Sequence, residues 1–183
     1  MKNFYKKIFT EINEILNKTD YNSIEKITKL LLSTNKKNKK IIIFGNGGSA
    51  AIASHVSVDL TKNARIRCIN FNEADLLTCF SNDYGYEKVF SKSLEFYADK
   101  GDLVIIVSAS GKSKNLLEAA KICKKKKLFL CTLTGFSKGN PLKKMGNINL
   151  WVNSKAYNIV ENVHQIWLLS IVDKIIGKTE YSA

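Results

Sequence analysis

Hydrophobic positions along this chain follow a helical spacing at the N-terminus and then alternate between short apolar runs and helical stripes. Residues 3–17 place Phe4, Ile8, Ile12 and Ile15 three or four apart among charged residues, which predicts an amphipathic helix. A second helix is expected from about Asn22, where Glu25 completes a capping-box pattern, to about Thr34. The run 40–44 (KIIIF) then predicts a buried strand, 49–62 a helix and 65–71 (RIRCINF) a strand. A short helix should follow, with Asn72 as its cap and Asp75 in its first turn. Residues 81–87 (SNDYGYE) read as a loop and 88–98 as another helix. The clearest strand is 102–110 (DLVIIVSAS), set between Gly101 and Gly111. A helix at 114–125, a strand at 128–135, a turn at Pro141 and a strand at 148–153 come next. The closing helix, 157–176, carries Ile159, Val163, Ile166 and Trp167. Strands separated by helices predict an α/β fold, a three-layer αβα sandwich around a parallel sheet. The pattern gives one domain over 1–183, with a helical N-terminal segment at 1–35 and a core at 40–176.

Composition narrows the class. The 183 residues suffice for one substantial core, and 45% apolar with 25% charged residues is the make-up of a globular protein. No apolar run reaches the length of a membrane span, and charge interrupts the N-terminal apolar residues too often for a signal peptide. Cys68, Cys79, Cys123 and Cys131 form no C-x-x-C pair and fall in apolar-periodic segments. They read as reduced, mostly buried thiols of a cytoplasmic protein.

The net charge of +13 raises the question of nucleic acid. Arg65 and Arg67 are the only arginines, so the side chain best suited to bidentate phosphate and base contacts is nearly absent. The densest lysine runs, 36–40 and 124–127, stand where helices end, and there they complement the helix dipole. A solvated lysine surface is the better reading, with no nucleic-acid and no membrane partner. Its field would still draw in small anions.

Two turns carry the candidate chemistry. In GNGGSA (45–50), Gly45, Gly47 and Ala50 fit a dinucleotide fingerprint, but the acidic residue expected roughly 20 positions on to hold the ribose is missing, since that strand ends in Phe71 and Asn72. In SASGKS (108–113), the last three residues match a Walker A ending, yet Ile106 stands where that loop needs its first glycine. Both nucleotide readings fall. Ser108, Ser110 and Ser113 instead offer three hydroxyls beside a helix N-terminus, an anion nest that needs no arginine. Two such turns at strand ends place a ligand there, because ligands of open α/β sheets gather at that edge.

The order and spacing of GNGGSA with His55 following, NDYGYE, SASGKS, TLTG and a closing helix with ENVH resemble the sugar isomerase domain family over residues 40–176, and within it the phosphoheptose isomerases. The resemblance implies an aldose–ketose isomerase, acting on sedoheptulose 7-phosphate to supply heptose for surface polysaccharide. It implies a homotetramer joined through the N-terminal helices, and a zinc ion as the possible cofactor. Carried over by position, Asn46, Gly47, Gly48 and Ser49 match the substrate-contacting turn, Asn82 and Asp83 a substrate-binding pair, and Ser108, Ala109, Ser110 and Ser113 the phosphate loop. His55 matches a metal ligand, Asp59 stands where the family has a glutamate that is both ligand and base, and Glu161 replaces a glutamine ligand. Leu169 stands in place of the last histidine, which leaves His164 as the only imidazole on that helix.

Enediol isomerisation needs a base beside the carbon and a proton donor beside the oxygens. His55 and Asp59 are i and i+4, Glu161 and His164 are i and i+3, so each pair is expected on one helix face. With Asp59 as base, His164 as its proton partner and Glu161 beside them, the catalytic set would be complete. His55, Asp59 and Glu161 are equally the donors a divalent metal would take. The alternative function is a catalytically inactive sugar-phosphate sensor or partner-binding module, for which the missing last histidine argues.

Overall fold

In the computed structural model, which describes residues 2–180, five parallel strands stand in the order β2-β1-β3-β4-β5. They are β1 (Ile41–Gly45), β2 (Cys68–Asn70), β3 (Leu103–Ser108), β4 (Phe129–Thr134) and β5 (Ile148–Trp151). Parallel neighbours require crossovers, and every one here is helical. α3 (Gly48–Lys62) joins β1 to β2, α4 (Ala74–Tyr84) and α5 (Val89–Tyr97) lead to β3, α6 (Lys114–Lys125) to β4 and α7 (Pro141–Met145) to β5. α1 (Lys2–Asn17) and α2 (Tyr21–Lys36) precede the sheet, and α8 (Tyr157–Ile176) closes the chain.

Strand alternation divides the core in two. Ile41 and Ile43 of β1, with Leu103, Ile105 and Val107 of β3, pack under Ile27 and Leu31 of α2, Val56 of α3 and Val163 and Trp167 of α8. Ile42, Phe44, Val104 and Ile106 face the other way, onto Phe90 and Leu94 of α5 and Leu116 and Ala120 of α6. Because both faces of β1 and β3 are covered, their sequences are unbroken apolar runs.

Several boundaries depart from the sequence expectation. α2 is capped by Asp20, whose carboxylate accepts from the backbone N–H of Ser23 at 3.2 Å and from its hydroxyl at 2.7 Å, rather than by Asn22. The helix already begins at Tyr21, so Asn22 lies inside its first turn and the capping position falls to Asp20. α4 begins after Glu73, and Asn72 instead donates its amide to Gly45 O at 2.8 Å, tying the helix entry to β1. α4 also absorbs Ser81–Tyr84, expected as loop, because Leu76, Leu77 and Phe80 continue one stripe against the second core until Gly85 (φ 83°) ends it. Of the two N-terminal helices, α2 contributes Ile27 and Leu31 to the core, while α1 buries no residue fully and packs Ile12, Ile15 and Leu16 against the rim of that core. Cys123 and Cys131 are buried, and burial pushes both thiols up to about 12; Cys68 is half-buried and Cys79 exposed. Among the described residues, no helix is long and apolar enough to cross a membrane.

Candidate active site

Gly45 pairs in register with Val107, so the turns that leave β1 and β3 emerge side by side at the carboxyl edge of the sheet. Each opens a long helix, α3 after Gly47 and α6 after Ser113, and the positive ends of both dipoles therefore meet at one place. Between them lies a cavity of about 340 Å³ lined by Asn46, Gly47, Gly48, Ser49, Ser108, Ala109, Ser110 and Ser113. Tyr157 and Glu161, from the first two turns of α8, close its remaining side with Leu116. A larger hollow, about 500 Å³, lies between α1 and β5 and contains none of these groups.

The serine turn is built for an anion. The hydroxyl of Ser108 accepts from Gly111 N–H at 3.1 Å and that of Ser110 from Lys112 N–H at 3.3 Å, which fixes the bend. Gly111 has φ +64°, and a Cβ there would collide with the Asn140 amide, so only glycine serves. Ser113 occupies the N-cap of α6 yet makes no side-chain capping bond, and its hydroxyl remains available to a ligand. Burial of a phosphate at this point would satisfy donors that the helix start leaves without partners.

Glu161 supplies the cavity's carboxylate. Ser49 donates its hydroxyl to it at 3.5 Å, a long bond that holds its orientation. A Cβ at Gly48 would collide with that carboxylate, so the bare backbone at the start of α3 is what admits Glu161 to the cavity. It lines the same cavity as Ser108, Ser110 and Ser113.

Other expected residues lie elsewhere. His55 Nε2 pairs with Asp59 at 3.3 Å, Asn63 donates to the same carboxylate at 3.1 Å, and Gln165 approaches His55 Nδ1 at 3.5 Å. This cluster sits farther along α3 and does not line the cavity, so within one chain Asp59 does not share the enclosure of Glu161 and the serine hydroxyls. His55 lies about two turns and Asp59 about three turns of α3 beyond Gly48, away from the sheet edge. Asn82 and Asp83 are exposed on the last turn of α4, Asn82 bonded to Asp83 at 2.9 Å, and they too lie outside the cavity; the extension of α4 through this segment holds them there.

His164 is corrected most strongly. It is fully buried, its Nε2–H donates to Thr134 O at 3.2 Å, and its Nδ1 has no partner among the described residues. Because Thr134 O can only accept, the proton must sit on Nε2. Burial lowers the pKa to about 4, partly opposed by the bond to Thr134, so the imidazole is neutral and serves the core. The metal expectation fares no better on geometry. Among the described residues no three His, Cys, Asp or Glu side chains come together to hold an ion, because Glu161 turns to Ser49 while His55 and Asp59 pair with each other. The donor set of one chain does not fit a zinc site.

Sequence reasoning missed Tyr157, which lines the cavity, and Asn115, Tyr86 and Gln165, which touch residues of the matched motifs. Asn115, two residues past Ser113, left a trace as a polar residue on the inward stripe of α6.

Fold and cavity together define an α/β domain with a pocket shaped for a phosphorylated small molecule. The family described as "SIS domain" matches residues 4–135, and the chain belongs to that family. The phosphoheptose isomerase of Cytophaga hutchinsonii is 38% identical over 149 residues, 78% of each chain. That of Sulfurimonas denitrificans is 35% identical over 186 residues, 97% of this chain and 94% of the relative. The structure of the phosphoheptose isomerase from Neisseria gonorrhoeae superposes with a TM-score of 0.87 at 25% identity, covering 95% of this chain and 96% of that one.

Proposed function

We propose that this protein is a phosphosugar isomerase that interconverts sedoheptulose 7-phosphate and the corresponding heptose 7-phosphate through an enediol. One observation carries the assignment of roles. A carboxylate, Glu161, and a serine turn at a helix N-terminus share one cavity, in a chain whose relatives are named phosphoheptose isomerases. The serine turn takes the phosphate and so fixes the other end of the sugar near Glu161, which converts proton removal into an intramolecular step.

From the ketose, Glu161 takes the proton at C1. The C–H pair forms the C1=C2 bond, and the C2=O pair moves onto oxygen, which is protonated. The O1–H proton then leaves as C1=O forms, and Glu161 returns its proton to C2. One hydrogen has moved from C1 to C2 and one from O1 to O2, with no net oxidation and no co-reactant. Asn46 and Ser49, beside Glu161, are the polar groups placed to meet charge on those oxygens. No step is routed through a metal. We further assign a homotetramer, supported by the exposed apolar residues of α1.

The test is incubation with sedoheptulose 7-phosphate in deuterated water, followed by NMR of the exchanging carbons. The parent should incorporate deuterium at C1 or C2, and Glu161→Gln should slow incorporation by about 10²–10⁴-fold while still binding the sugar phosphate. A parent that binds the sugar phosphate and exchanges nothing would instead be a sensor.

A further inference from the structure

Asn46 lines the cavity, and its amide is held by two residues from other parts of the chain. Asn115, in the first turn of α6 and buried to 2% exposure, makes a reciprocal pair with it: Asn46 Nδ2 donates to Asn115 Oδ1 at 3.0 Å, and Asn115 Nδ2 donates to Asn46 Oδ1 at 3.0 Å. Tyr86, on the 3-10 turn Tyr86–Lys88, donates its hydroxyl to the same Asn46 Oδ1 at 3.0 Å. An amide pair alone could be drawn with either polarity. Here the backbone breaks the tie, because Asn115 Oδ1 also accepts from Leu116 N–H at 2.9 Å, and a backbone N–H can only donate. The orientation of Asn115 is therefore fixed, and it fixes that of Asn46. The oxygen of Asn46 is occupied twice, by Asn115 and Tyr86, while one Nδ2 hydrogen remains uncommitted.

Resting on the proposed isomerase reading, we infer that Asn115, with Tyr86, is a positioning residue that presents Asn46 to the substrate as an N–H donor and never as an acceptor. A donor at this point meets the sugar oxygens as they gain negative charge in the enediolate, whereas an amide oxygen turned inward would repel them. The same pair couples the glycine turn after β1 to the helix that begins the phosphate site, so the two halves of the cavity keep one spacing.

The closing experiment has a ligand-free and a catalytic arm. In NMR of the free protein, the Asn46 side-chain amide protons should exchange slowly in the parent, and at least about tenfold faster in Asn115→Leu, which can neither accept from Asn46 nor donate to it. In turnover of sedoheptulose 7-phosphate, Asn115→Leu should lower kcat/KM about tenfold with Asn46 present, but less than about twofold in an Asn46→Ala background. Tyr86 is exposed and tolerates replacement, so Tyr86→Phe supplies a second variant, with an expected loss of about threefold that also vanishes with Asn46→Ala. Equal losses in the two backgrounds, or unchanged amide exchange in Asn115→Leu, would overturn the inference. A parent that turns over no sugar phosphate would defeat the isomerase reading instead, and the amide exchange would still decide whether Asn115 holds Asn46.

Discussion

Three residues separate Glu161 from His164 on α8, an advance of about 300°, and the missing 60° sends the two side chains to different places. Glu161 reaches the cavity, while His164 turns with Val160, Val163 and Trp167 onto the first core. Gln165, a further residue on, faces His55 across the α3–α8 contact. The buried imidazole has a measurable signature. Its folded pKa, about 4, is below the ordinary value of 6.5, so between those values the unfolded chain binds the extra proton and folding loses stability as pH falls. That contribution is absent above about pH 7 and reaches about 2 kcal/mol by pH 5. Urea unfolding of the parent at pH 7.5 and pH 5 should show the loss. His164→Gln, which keeps a donor for Thr134 O but cannot titrate, should remove about that much of the difference. An equal pH dependence in both proteins would place the titration elsewhere. The residue types of the site were legible as local motifs, since the glycine and serine turns recur at fixed spacings. Which of Glu161 and His164 entered the cavity was not, because a fraction of a helical turn decided it.

At the scale of elements, the site depends on how closely α8 approaches the start of α3. Gly48 is helical, and in an ordinary helix an alanine there would add about 0.5–1 kcal/mol of stability. Here its Cβ would meet the Glu161 carboxylate, the mobile end of a long side chain, which would swing away while the backbone stays. Gly48→Ala should therefore fold as well as the parent by thermal melting, yet lose isomerisation by at least about tenfold. Parent-like turnover would show that Glu161 does not act from its observed position. The elements themselves were read closely: the bounds 114–125 and 157–176 agree with α6 and α8 because each carries a sustained apolar stripe. β2 came out shorter than 65–71, as only Cys68–Asn70 pair with β1 at that sheet edge. α4 came out longer, since its apolar stripe outweighed the turn-forming residues Asn82 and Asp83.

At the scale of the molecule, α1 leaves Phe4, Tyr5 and Phe9 at 67, 59 and 66% exposure, while Ile12, Ile15 and Leu16 farther along it pack partly buried against the first core. Such a stripe gains by being covered, at roughly 25 cal/mol per Å² of apolar area removed from water. Light scattering of the parent should give four times the 20.6 kDa chain mass, and Phe4→Glu with Phe9→Glu should lower it towards a single chain. A monomeric parent at micromolar concentration would refute the assembly. The sequence by itself determined the α/β class, the helix and strand order, and the two turns at the ends of β1 and β3, because each follows from local periodicity and from backbone chemistry a few residues long. Only the tertiary structure decided that Ile27 and Leu31 bring α2 into the core, that the His55–Asp59 pair stands outside the cavity, and that Asn46 is gripped by residues 40 and 69 positions away. Those outcomes depend on the rotation and closest approach of packed helices, which contacts across the whole chain set and no local pattern encodes.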